Sequence, residues 1–79
     1  MKINLLKSKM SLYGDNNKKL ADKLNITPSA FSRKINGRSD FNVDEIKFIR
    51  KEYNLTDEEF ISIFLINPLL FGKKMRKYE

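Results

Sequence analysis

Residues 17–37 restrict the fold of this chain more than any other part of it. The run Asn17-Lys18-Lys19-Leu20-Ala21-Asp22-Lys23-Leu24-Asn25-Ile26-Thr27-Pro28-Ser29-Ala30-Phe31-Ser32-Arg33-Lys34-Ile35-Asn36-Gly37 reads as two short helices joined by a tight turn. In the first, Leu20, Ala21 and Leu24 fall on one face, and Asn16 suits the N-cap. Ala21 is small enough to sit where two helix backbones approach closely. The second has the clearest start in the chain. Thr27 suits the N-cap, and Pro28 suits the first helical position, where its missing N–H costs nothing. Ile26 before the cap and Phe31 in the next turn form a hydrophobic staple. Gly37 after Asn36 supplies the stop.

The same punctuation organises the rest of the chain. A first helix over about 3–13 puts Ile3, Leu6, Met10 and Tyr13 on one face, with Gly14 as a left-handed stop. Asn42 with Glu45, and Thr56 with Glu59, are capping boxes. Phe41 can staple to Ile46, and Leu55 to Phe60. A fourth helix over about 43–53 should bury Val43, Ile46, Ile49 and Tyr53. A fifth from near Asp57 should bury Phe60, Ile63 and Phe64, and Pro68 should end or kink it. No long stretch alternates in the strand manner. The expectation is an all-α, five-helix domain over residues 1–65, followed by an extension, 66–79, that is first apolar and then basic.

Composition excludes several kinds of chemistry. The 79 residues include no cysteine and no histidine. A disulfide framework, a thiolate metal site and the usual general base are therefore unavailable. There is no glycine-rich phosphate loop and no nucleophile–base pair, so no enzyme is expected, and no metal or cofactor. Asp57-Glu58-Glu59 opens a helix, where acids complement the macrodipole. No apolar run is long enough to span a bilayer and no signal-peptide core is present, so a soluble cytoplasmic protein is expected. The net charge of +6 is unevenly spread. Residues 1–39 carry nine Lys/Arg against two Asp/Glu, whereas residues 40–72 carry three against seven. The basic half holds the two-helix motif.

At 100° per residue, Phe31 and Ile35 lie about 40° apart and define the buried side of the third helix. Ser29, Ser32, Arg33 and Asn36 cluster opposite them, with Ala30 and Lys34 on one flank and Pro28 on the other. That is the chemistry needed to read base edges in a major groove. Arginine grips guanine O6 and N7, serine donates or accepts, and the Ala30 methyl can meet a thymine methyl. Phosphate contacts are expected at the rims. Asn16, Asn17 and Lys18 open the second helix, where backbone N–H groups are free, and Asn36, Arg38 and Ser39 follow the third.

Leu20-Ala21-x-x-Leu24-x-Ile26-Thr27 and Phe31-Ser32-Arg33-Lys34-Ile35-Asn36-Gly37 resemble the Cro/C1-type, or XRE-like, helix-turn-helix family of phage and bacterial transcriptional regulators. The likeness extends weakly through Val43-x-x-Ile46 and the Leu55-Thr56-x-x-Glu59 helix start, covering roughly residues 1–65. It implies a lambda-repressor-like domain and a homodimer that binds palindromic double-stranded DNA as a repressor. It also implies base contacts from Thr27, Pro28, Ser29, Ser32 and Arg33, with Asn17 and Asn36 near phosphates. Four positions depart from the family pattern. Asp15 stands where an apolar residue is usual, Asn17 where glutamine is common, and Asn25 where the turn usually has glycine. Pro28 occupies a frequent base-contact position and has no N–H to donate there, which shifts the reading onto Ser29, Ser32 and Arg33.

The C-terminal part is too apolar for one face of a terminal helix. Ile61, Leu65, Ile66, Leu69, Leu70 and Phe71 remain after the core is filled. They suit a two-fold dimer interface, which would set two recognition helices about 34 Å apart, one DNA turn. The alternatives are a tail folded over its own domain or held against a membrane surface. A second reading of the whole chain keeps the same helices but directs them to a protein partner, as an antitoxin or a phage-encoded inhibitor.

Overall fold

The computed structural model describes residues 2–65. Ile66, Leu69, Leu70 and Phe71 of the expected dimer surface, Pro68, and the basic tail lie outside the described residues. Within them the chain is all-helical, without a strand. The order is α1 (Ile3–Leu12), α2 (Asn17–Leu24), α3 (Pro28–Ile35), α4 (Val43–Glu52) and α5 (Asp57–Phe64).

Local chemistry sets most of the boundaries. Asn16 accepts the Lys19 N–H into α2, and Thr27 accepts the Ala30 N–H into α3. Both capping boxes form. Asn42 and Glu45 exchange bonds at the start of α4, as do Thr56 and Glu59 at the start of α5. Each satisfies two N–H groups that a helix start leaves unpaired. The turns use left-handed backbone at Gly14 (φ 76°), Asn25 (φ 64°), Gly37 (φ 81°) and Asn54 (φ 50°). Glycine and asparagine tolerate that region better than other residues.

One core holds the helices together. Leu6 and Met10 of α1, Leu20 and Ala21 of α2, and Phe31 and Ile35 of α3 all enter it. So do Ile46, Ile49 and Tyr53 from α4 and its cap, and Phe60 and Ile63 from α5. The staple residues Phe41 and Leu55 are buried there as well. Phe41 meets Phe31 and Phe64 edge-on, with centroids 5.9 Å apart in both pairs. Helices α2 and α3 pack most closely on each other, and α5 lies against α1. The Lys2 N–H donates to the Ile63 carbonyl at 3.3 Å and closes that second contact.

Three expectations are corrected. Val43 is 51% exposed, while Glu45 is buried. Val43 lies about 100° around α4 from the centre of the Glu45–Ile46–Ile49–Tyr53 stripe, at the outer edge of the helix. Tyr13 caps α1 and is 48% exposed. It packs edge-on against Tyr53 at 5.1 Å and donates its hydroxyl to the Tyr53 carbonyl. Finally, α5 stops at Phe64, ahead of Pro68, because Leu65 takes a left-handed conformation with φ 57°.

Candidate nucleic-acid interface

Helix α3 is built with two unlike sides. Phe31 and Ile35 are fully buried against α2 and the rest of the core. Pro28, Ser29, Ser32, Arg33 and Asn36 are exposed. The Asn36 amide reaches the Ser32 hydroxyl at 3.4 Å, a long contact that leaves most of both groups' hydrogen-bonding capacity to solvent. Neither Ser29 nor Arg33 has a side-chain partner among the described residues. Thr27 is more constrained. Its hydroxyl oxygen accepts the Ala30 N–H at 3.1 Å, so what it retains for a ligand is mainly its O–H donor.

Lys34, on the flank of α3, is withdrawn from this face. Its ammonium donates to Glu45 Oε1 at 2.7 Å, and both side chains are largely buried. The same Oε1 accepts the Asn42 N–H at 2.9 Å. One carboxylate therefore caps α4 and holds α3. The Lys34 ammonium also lies 6.0 Å from the Phe41 ring centre, over an electron-rich face.

The rim residues sit at both ends of the two-helix unit. At the start of α2, the Asn16 side-chain oxygen is used by the cap, while Asn17 and Lys18 are exposed and unpaired among the described residues. Beyond α3, the Arg38 and Ser39 N–H groups both donate to the Arg33 carbonyl, at 2.8 and 3.3 Å. That fold-back fixes the loop to the end of α3. Arg38 is exposed, whereas Ser39 is half-buried and lines a mixed groove with Asp40, Phe41, Ile46 and Phe64. Of the expected dimer residues that are described, Ile61 on α5 is 43% exposed and Leu65, its C-cap, 70%.

Asp15, the residue before the α2 cap, has a role its sequence position does not reveal. Its side chain is 4% exposed. It accepts the Tyr53 hydroxyl at 2.7 Å and the Lys23 ammonium at 3.0 Å, and Lys23 also reaches Glu52 at 2.7 Å. Burial alone would raise the Asp15 pKa, but the bonds from Tyr53 and Lys23 outweigh it and hold the carboxyl below its ordinary value. Burial, and then Asp15, push the Tyr53 hydroxyl upward, so it remains a donor. The network ties the α1–α2 loop and α2 to the end of α4. Its members are spread along the chain, and the local sequence around Asp15 carries no sign of a partner 38 residues away.

Among the described residues, no group of three or more Asp or Glu is placed to hold a metal ion, and no helix is long and apolar enough to cross a membrane. Comparison with protein-family models, with curated proteins and with solved structures finds no match for this chain.

Proposed function

We propose that this chain is a sequence-specific, double-stranded DNA-binding transcriptional regulator with a lambda-repressor-like domain. It acts without catalysis or cofactor, as a small repressor or Cro-like homodimer on a palindromic operator. Helix α3 enters the major groove. Ser29, Ser32 and Arg33 read base edges, with Thr27 and Pro28 at the helix start. Asn16, Asn17, Lys18, Asn36, Arg38 and Ser39 border the phosphates. The dimer forms through α5 and the segment after it.

The observation that carries this reading is the asymmetry of α3. The side facing solvent offers Ser29, Ser32 and Arg33 almost free of intramolecular partners, while the lysine on its flank is tied to Glu45. Such a set is suited to forming bidentate and single hydrogen bonds with bases.

Selection of duplexes from a random pool tests the proposal. The expected result is an enriched, two-fold symmetric site whose affinity drops steeply with added salt, as phosphate neutralisation requires. No enrichment, or salt-insensitive binding, would overturn it in favour of a protein partner.

A further inference from the structure

A mixed groove of about 460 Å³ lies between the loop after α3 and the end of α5. Its lining is apolar at Phe41, Ile46, Phe64 and Leu65, and polar at Ser39 and Asp40. Leu65 is also the last described residue. Its N–H donates to the Ile61 carbonyl, and its backbone is left-handed, with φ 57°. The other two non-glycine residues in that region are Asn25 and Asn54, a residue type that tolerates it. A leucine there is sterically disfavoured, and such a conformation persists where its surroundings compensate for it. The turn takes the chain out of α5 at the wall of the groove.

The residues that follow are Ile66-Asn67-Pro68-Leu69-Leu70-Phe71-Gly72-Lys73-Lys74. Pro68 biases Asn67 toward extended backbone. Leu69 is four residues beyond Leu65, a tether of at most about 14 Å. So short a connection holds 69–71 beside the groove at an effective concentration that a separate molecule does not readily match. Charge favours the same occupant. Glu45, Glu52, Asp57 and Glu59 each engage a cation, whereas Asp40 is exposed and has no partner among the described residues. Two lysines come directly after Gly72, which permits a turn back toward it.

We propose that residues 69–71 of this same chain dock in the groove, with Leu69 and Phe71 inward, Leu70 outward, and Lys73-Lys74 facing Asp40. The alternation follows from extended backbone, in which successive side chains point to opposite sides. Leu70 is thereby left to the dimer contact proposed above. Arg38 and Ser39 belong to the loop that contributes to the groove, so the docked segment braces that loop. The docking does not depend on DNA binding, and its test needs no duplex.

Nuclear Overhauser spectra of the full chain test it. Cross-peaks are expected between the Phe71 ring and the Ile46 methyls, and in a mixture of labelled and unlabelled protein they should arise within one chain. Phe71→Ser should abolish contacts of the segment with Ile46 and speed hydrogen exchange at the 69–71 amides, while Leu70→Ser should preserve the Phe71 cross-peaks. Asp40→Asn should raise that exchange roughly two- to fivefold, as expected for one exposed ion pair. Absence of the cross-peaks in the wild type would overturn the docking. Cross-peaks found only between chains would assign the groove to a second copy and overturn it equally. Their loss in Leu70→Ser would overturn the inward placement of Phe71, and unchanged exchange in Asp40→Asn would overturn the part given to Asp40.

Discussion

At the scale of single residues, Arg33 and Lys34 are neighbours with opposite fates. Arg33 is exposed and unpaired; Lys34 is held by Glu45. Arg33→Ala is expected to weaken specific binding by about 1–3 kcal/mol and to relax preference at one base pair, without lowering the melting temperature. Lys34→Ala should do the reverse, with a lower melting temperature and an unchanged preferred sequence. Duplex selection with each variant, alongside thermal melts, checks both. Asp15 has its own pH signature. Its folded pKa is depressed, so its contribution to stability is complete above the unfolded value and is lost as pH falls through the folded one. Asp15→Asn should therefore be less stable than wild type at neutral pH, and the gap should narrow below about pH 4. Denaturant midpoints measured across that range would show it. The exposed set on α3 was legible because a helical wheel needs only local spacing. The burial of Asp15 was not, because its partner Tyr53 lies 38 residues away.

Among the helices, starts were easier to read than ends. Each start from α2 to α5 has a Ser/Thr/Asn-type cap that writes its own hydrogen bond within three residues. Thr56→Ala should cost about 1 kcal/mol by chemical denaturation, since it removes the hydroxyl oxygen that accepts the Glu59 N–H and leaves only the return bond from the Thr56 N–H to the Glu59 carboxylate. The stop at Gly37 was equally plain. A Cβ there meets nothing within 4 Å, but the left-handed backbone still penalises it, so Gly37→Ala should destabilise by about 1 kcal/mol. The end of α5 carried no such signal. Leu65 is neither glycine nor asparagine, and Pro68 drew attention to a later stop. The outward turn of Val43 was also hidden, because Glu45, a polar residue, takes the inward place once Lys34 is there to meet it.

Taken as a whole, the molecule separates its charges by both position and occupancy. The acidic second half supplies the carboxylates Glu45, Glu52, Asp57 and Glu59 that engage Lys34, Lys23, Arg50 and Lys9. Among the described residues, most of the cations left unpaired, including Lys7, Lys18, Arg33 and Arg38, therefore lie within α1–α3 and the loop that follows. Removal of residues 66–79 is expected to lower the sedimentation mass from dimer to monomer, with the helical signal of the remaining domain retained. An unchanged mass would place the interface elsewhere. The bond between Lys34 and Glu45 has one more consequence, for the energetics of association. A lysine surrenders up to about 2 kcal/mol of rotamer freedom when it is immobilised. Here that loss falls during folding, so α3 is stiffened before any partner is met, and under the proposed DNA-binding reading less of the encounter's free energy is spent on restraining it.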